Sequence, residues 1–259
     1  MRIFRYLKRY IKPRLPGRLL FTHVPKTGGT SVDLSIRSAY RIPKPEPDYE
    51  AVRAACIDLM SDGSLEATGE SAKVLCHYAL QKEWSYIAGH FPTRSETLAL
   101  AKKKGYTLAT IVRDPVERFI SNYIYHYIRL WELGLEEPPP VEDVTDQFRR
   151  RFYDDIQNDV RFQGSAYQRF FGGASAKDVI KRMSRYDIVG VTHSLTDMEE
   201  DFRAHGFKVR IGHANKTSKL DTFSSRRQAL NNLFEDPKLL SKIRERTQLD
   251  KRVFNHFDN

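Results

Sequence analysis

Phe21-Thr22-His23-Val24-Pro25-Lys26-Thr27-Gly28-Gly29-Thr30-Ser31 is the stretch whose reading decides the fold. The apolar run Leu19-Leu20-Phe21 leads through Val24 into a turn, and a helical pattern follows through Val32, Leu34 and Ile36. Strand, glycine-rich turn and helix in that order make a phosphate cradle. N–H groups freed at the helix start converge on an anion, and the helix dipole favours negative charge there. Gly28 and Gly29 let the backbone approach such a ligand without a Cβ in the way. A Walker A loop carries its lysine after the glycines, as Gly-x-x-x-x-Gly-Lys-Ser/Thr. Here Lys26 precedes them, so the loop suits phosphate without being an ordinary ATP or GTP loop.

A second segment completes a nucleotide site. Tyr106-Thr107-Leu108-Ala109-Thr110-Ile111-Val112 is β-branched and apolar, and reads as a buried parallel strand. It runs into Arg113-Asp114-Pro115-Val116-Glu117-Arg118. Asp114 is a good N-cap, Pro115 fits the first helical position, and Glu117 completes a capping-box-like pattern. Arg113 thus stands at the carboxyl end of a strand, where open α/β sheets bind ligands. Arg118 and Ser121 are three residues apart and share a helix face, which reads as a second oxyanion site apart from the first loop.

Two phosphate sites at two strand ends suit a nucleotide phosphorylated at both its 5′ and 3′ positions. Pro25-Lys26-Thr27-Gly28-Gly29-Thr30-Ser31 resembles the 5′-phosphosulfate loop of sulfotransferases, and Arg113 through Ser121 resembles their 3′-phosphate motif. The wording is closest to the carbohydrate (heparan-sulfate-type) branch and its bacterial relatives. Weaker likeness continues through Asn158 to Phe171, Tyr186 to Thr192 and the Asn215-Lys216-Thr217 region, so it covers the chain from about Leu19 onward. The resemblance implies 3′-phosphoadenosine 5′-phosphosulfate (PAPS) as donor and the 3′,5′-bisphosphate (PAP) as product, with no metal. It implies a carbohydrate or other hydroxyl-bearing acceptor and a sulfotransferase domain over 19–259, and the Lys- and Arg-rich residues 1–18 before it read as a basic lead-in. Related enzymes close a late basic loop over the 3′-phosphate, which brings in Lys216 and Thr217.

Composition agrees with that reading. The chain has 259 residues, enough for one sizeable α/β core, and is 40% hydrophobic. No run approaches the roughly 20 apolar residues of a spanning helix. Its 43 Lys and Arg against 33 Asp and Glu give a formal net charge of +10, which draws in a polyanionic nucleotide or an acidic glycan. No zinc-finger spacing, RNP-like motif or basic zipper points to nucleic acid. Cys56 and Cys76 form no CxxC, so a disulfide scaffold is not expected and a reducing compartment is. Met1 to Arg18 has a positive start but no continuous apolar core or cleavage pattern. A cytoplasmic enzyme fits. Ile3, Tyr6, Leu7, Tyr10 and Ile11 lie at helical spacing among basic residues, which suits either contact with an anionic membrane or packing on the domain.

Along the chain, strands and helices alternate as a parallel sheet requires. Helices are expected over Tyr49 to Met60, Ser95 to Lys104 with Gly105 as C-cap, Pro115 to about Leu130, Leu195 to Ala204 and Pro237 to Arg246. Further strands are expected at Tyr86-Ile87-Ala88 and Tyr186 to Val191, while Ser61 to Ser71 is polar and poorly patterned. Pro138-Pro139-Pro140 is a rigid loop beside the acceptor groove, or a plain spacer. The fold expected is α/β: a single domain with a central parallel sheet flanked by helices and a P-loop-like phosphate-binding turn.

Sulfuryl transfer needs in-line positioning, charge stabilisation on the leaving oxygen and a group to take the acceptor's proton. Phosphoryl transfer poses a closely related problem. Lys26 is the electrostatic candidate: an ammonium beside the cradle can meet negative charge on the bridging oxygen, or simply hold the 5′-phosphate. For the base, His90 closes a short strand after Gly89, and the glycan sulfotransferases it resembles place a catalytic histidine similarly. His77 is its rival, with Glu83 or Glu96 as further bases. His23 is read as a core residue inside the first strand that hydrogen-bonds there. His126 faces either the groove or the packing. Gln163, Arg161 and Arg169 are read as acceptor-side residues or helix-end packing. Two other classes fit less well: a P-loop-type nucleotide kinase, and a basic non-catalytic module for polyanions or membranes.

Overall fold

The buried apolar runs lie side by side in one sheet. The structure is a computed structural model and describes residues 12–43, 65–159, 161–162, 164–212 and 222–258. Strands β1 (Arg18–Thr22), β2 (Tyr86–Gly89), β3 (Tyr106–Val112) and β4 (Ile188–Val191) pair in parallel in the order β2-β1-β3-β4. The chain leaves β1 towards β2 on one side and leaves β3 towards β4 on the other. The crevice at the carboxyl ends of β1 and β3 is therefore the switch point at which such sheets take their ligands.

Side chains alternate between the two faces of each strand, and each face is covered. Leu19, Phe21, Ala109, Ile111 and Ile188 pack on helix α1 (Gly29–Ala39) through Val32 and Ile36. Leu20, Leu108 and Val112 turn the other way. They meet Leu80 of α2 (Leu65–Gln81), Leu98 of α3 (Ser95–Lys103) and further apolar residues from the second half of the chain. A third core contains no strand residue. There α4 (Pro115–Glu132) and α5 (Val144–Asn158) join the late helices around Phe119, Tyr123, Tyr127, Phe148, Phe152 and Phe234.

The remaining helices are α6 (Ala166–Phe171), α7 (Ala176–Met183), α8 (Leu195–Ala204), α9 (Ser224–Leu233), α10 (Pro237–Arg246) and α11 (Gln248–Phe257). The bounds of α8 and α10 are those expected, and Gly105 takes a φ of +72° just past α3, as its C-cap role requires. Two expectations need correction. The described part of the polar stretch, Leu65 to Ser71, belongs to α2, because Ser71, Leu75, Cys76, Ala79 and Leu80 make one buried stripe. Tertiary packing, rather than local pattern, holds that helix. The strand expected from Tyr186 begins instead at Ile188, since the Asp187 carboxylate accepts the Leu108 N–H at 2.7 Å where a strand carbonyl would. The helix expected over Tyr49 to Met60, the amphipathic start of the chain and Cys56 lie outside the described residues. Cys76 is buried among apolar neighbours, and burial pushes its thiol up to about 12. Among the described residues no helix is long and apolar enough to cross a membrane.

Candidate functional site

The glycine-rich turn sits at the switch point. Gly28 caps α1 with a φ of +85°, a left-handed conformation that favours glycine. Lys26 also has a positive φ, +70°, and backbone strain of this kind gathers where a side chain must be aimed. Thr27 Oγ1 donates to the Val24 carbonyl at 2.8 Å. The Thr192 hydroxyl, just past β4, lies 2.8 Å from the carbonyls of both Thr27 and Val112 and ties the turn to the end of β3. Gly29 serves a purpose the sequence did not disclose: a Cβ there would stand 1.9 Å from the His23 ring. This glycine makes room for a buried imidazole.

Arg113 stands at the end of β3, pinned by the fully buried Tyr167. That hydroxyl donates to the Arg113 carbonyl at 2.6 Å and accepts its N–H at 2.9 Å. Asp114 caps α4, accepting the N–H groups of Val116 and Glu117, and its second oxygen takes Lys251 at 2.8 Å. Burial pushes the Asp114 carboxyl up, but Lys251 and the two amides outweigh it and hold the group below the usual range. The capping box is half made, because the Glu117 carboxylate turns to Arg113 Nε at 3.2 Å instead. Arg118, expected to join Ser121 in a second oxyanion site, is buried beside Asp250, and its Nε has no hydrogen-bond partner among the described residues. Ser121, one turn on, is half-buried.

The two motifs adjoin. Arg113 Nη1 donates to the Lys26 carbonyl at 3.3 Å. The Lys26 ammonium lies 4.0 Å from the centre of the Tyr125 ring. Burial, then Arg227, then Arg113 hold its pKa below the ordinary lysine value. So Lys26, Arg113 and Arg227 gather at one strand-end crevice. Sequence reasoning missed Arg227, which arrives from α9. One signal was there: Arg226 and Arg227 sit in the first turn of a helix, where the dipole disfavours cations. Arg226 Nε donates to the Pro139 carbonyl at 2.7 Å, so the proline run braces the helix that carries Arg227.

Among the histidines, His90 is exposed at the end of β2, and its Nδ1 lies 2.9 Å from the His23 carbonyl. Only a donating Nδ1–H satisfies that contact, which leaves Nε2 as the acceptor nitrogen. His77 is committed to Thr97, Nε2 to Oγ1 at 2.9 Å. Glu83 is corrected outright: it pairs with Arg18 and Lys104 at the opposite end of the sheet. Glu96 lies exposed in the first turn of α3. His126 packs against Phe162, and its Nε2 is buried with no hydrogen-bond partner among the described residues. Arg161 is held by Asp159, and Arg169 reaches the Arg161 carbonyl. Lys216, Thr217 and Gln163 lie outside the described residues.

His23 lies one residue past β1 rather than within it, and its buried Nδ1 makes no hydrogen bond among the described residues, contrary to expectation. Its ring stacks on Phe21 and meets His90 edge-on at 4.4 Å. Burial, with a smaller push from His90, takes its pKa from 6.5 down to about 3. A depressed pKa means that the unfolded chain binds the proton more readily. The stability His23 contributes is therefore complete above about 6.5 and is lost as pH falls towards about 3. Thermal midpoints measured across that window are expected to fall more steeply for the native protein than for His23→Leu. Parallel curves would show that the ring accepts protons freely.

A family model described as "Sulfotransferase family" matches residues 11–258. The chain belongs to the sulfotransferase family, enzymes that transfer a sulfuryl group. No curated protein matches it. Among solved structures it is similar to a chain from the characterised PezAT chromosomal toxin–antitoxin system of Streptococcus pneumoniae. The identity is 17% and the TM-score 0.37, over 91% of this chain and 93% of that one. A likeness that low carries no argument about function.

Proposed function

We propose that the protein transfers the sulfuryl group of PAPS to a hydroxyl of a carbohydrate acceptor. The observation that carries this reading is the convergence of Lys26, Arg113 and Arg227 on the β1–β3 crevice, beside the first-turn amides of α1. Cations crowded together repel one another, and the ammonium of Lys26 has no carboxylate partner among the described residues. Such a cluster is stabilised by a polyanion, and a nucleotide with a 5′-phosphosulfate and a 3′-phosphate supplies one. The turn formed by Pro25, Lys26, Thr27, Gly28, Gly29, Thr30 and Ser31 would hold the 5′ end. Arg113 and Ser121 would hold the 3′-phosphate, with Lys216 and Thr217 closing over it. His90 Nε2 would take the acceptor's proton while Lys26 meets charge on the leaving oxygen.

Incubation of the purified protein with PAPS and a glycan panel tests the reading. Transfer, with tight PAP binding and no need for ATP, supports it. Magnesium-dependent ATP binding at the turn would instead favour a kinase, and binding of any polyanion without transfer a passive module. Arg113→Ala separates the two ends of the nucleotide. Loss of one charge-assisted contact is expected to weaken PAP about 10–100-fold while changing 5′-AMP binding little. Equal weakening of both would move Arg113 to the 5′ end, towards which its contact with the Lys26 carbonyl already leans.

A further inference from the structure

The ring nearest to Lys26 belongs to a tyrosine that the core does not use. Tyr125 is 48% exposed, although its α4 neighbours Tyr123, Ile124, Tyr127 and Ile128 are all buried in the aromatic core. None of the ring–ring contacts of that core includes it among the described residues, and its face is turned to the Lys26 ammonium at 4.0 Å. We infer that Tyr125 is a positioning residue, whose π face holds the Lys26 ammonium in place for the donor and through the transfer step. The inference rests on the reading of Lys26 as the group that meets the leaving oxygen.

The physical need is visible in the charges around Lys26. Arg113 at the end of β3 and Arg227 on α9 both disfavour its charged form, as does burial. Arg113 has the Glu117 carboxylate as counterpart; Lys26 has none among the described residues. A carboxylate placed there would steady the ammonium but would also repel a phosphosulfate. An aromatic face attracts the cation through its quadrupole and carries no net charge, so it steadies the ammonium without turning the ligand away. A charge-assisted hydrogen bond to a phosphate oxygen is stronger than that ring contact, so the ammonium turns its N–H groups to the incoming anion while the ring stays against its other side. The positive φ of Lys26 sets the direction in which the side chain leaves the turn, and the ring fixes where it ends.

Tyr125→Phe keeps the face and loses the hydroxyl; Tyr125→Leu keeps bulk and loses the face. Because the residue is half-exposed and outside the core, both variants are expected to fold with native thermal midpoints. In the ligand-free protein, the acetylation rate of Lys26 by acetic anhydride, followed by peptide mass spectrometry across pH, reports how well its charged form is held. Tyr125→Leu is expected to move that titration to lower pH, whereas Tyr125→Phe matches the native protein. In the transfer assay, Tyr125→Leu is expected to lose about 3–30-fold in kcat, the range of a cation–π contact, with KM for the donor within about twofold. An unchanged Lys26 titration in Tyr125→Leu, or Tyr125→Phe behaving like Tyr125→Leu, overturns the inference. A native protein that neither binds PAP nor transfers sulfate overturns the functional reading instead, and the labelling experiment still decides the ring contact.

Discussion

Lys26→Ala is expected to lower turnover about 10²–10³-fold, the scale of losing one preorganised electrostatic donor aimed at developing charge. The loss should fall mainly on kcat. The donor keeps the amides at the start of α1 at its 5′ end and the Arg113 guanidinium at its 3′-phosphate, with Arg227 still in the crevice, so PAP affinity should drop far less than rate. Stability should not drop either. Lys26 is partly desolvated and faces two other cations, so shortening it removes repulsion from the folded state. A native or slightly raised thermal midpoint beside a collapsed kcat would separate this outcome from misfolding. Single-turnover measurement with preformed enzyme–donor complex reads the chemical step directly. A kcat within about fivefold of native would reduce Lys26 to a phosphate-holding residue.

The elements legible in the sequence were those whose local pattern and tertiary role agree. Tyr106 to Val112 is apolar because both faces of β3 are covered, and Asp114-Pro115 starts a helix whatever packs on it later. The glycine-rich turn was legible for the same reason: strand, turn and helix all lie within a dozen residues. What stayed hidden depends on distant partners. The helical state of Ser71 follows from a stripe that only the sheet face completes. Arg227 belongs to the site because α9 is packed on the far core, and nothing near it in sequence says so. Glu117 had a capping role by position, yet the nearest cation won its carboxylate. Gly29 read as space for a ligand, and the space is taken by His23. Histidine roles were hardest, since one residue type serves as orphaned core ring (His23), helix-to-helix tie (His77) and exposed strand-end imidazole (His90), and only geometry separates them.

That geometry makes His90 the site of the other large effect. His90→Ala is expected to retain PAP binding and lose about 10²–10⁴-fold in kcat, the usual contribution of a positioned general base. The reasoning begins with the His23 carbonyl. It lies just beyond the last residue of β1, where the strand has ended, and it accepts the His90 Nδ1–H. The imidazole is thereby fixed in the tautomer whose Nε2 carries the lone pair. His23 cannot compete for the proton, because burial keeps its own ring neutral down to about pH 3. Small imidazoles added to His90→Ala should restore part of the rate without changing donor affinity, which a merely structural histidine would not show. A variant that transfers sulfate at the native rate would exclude His90 as the base and leave His77, freed from Thr97 by a movement of α2, as the imidazole to test next.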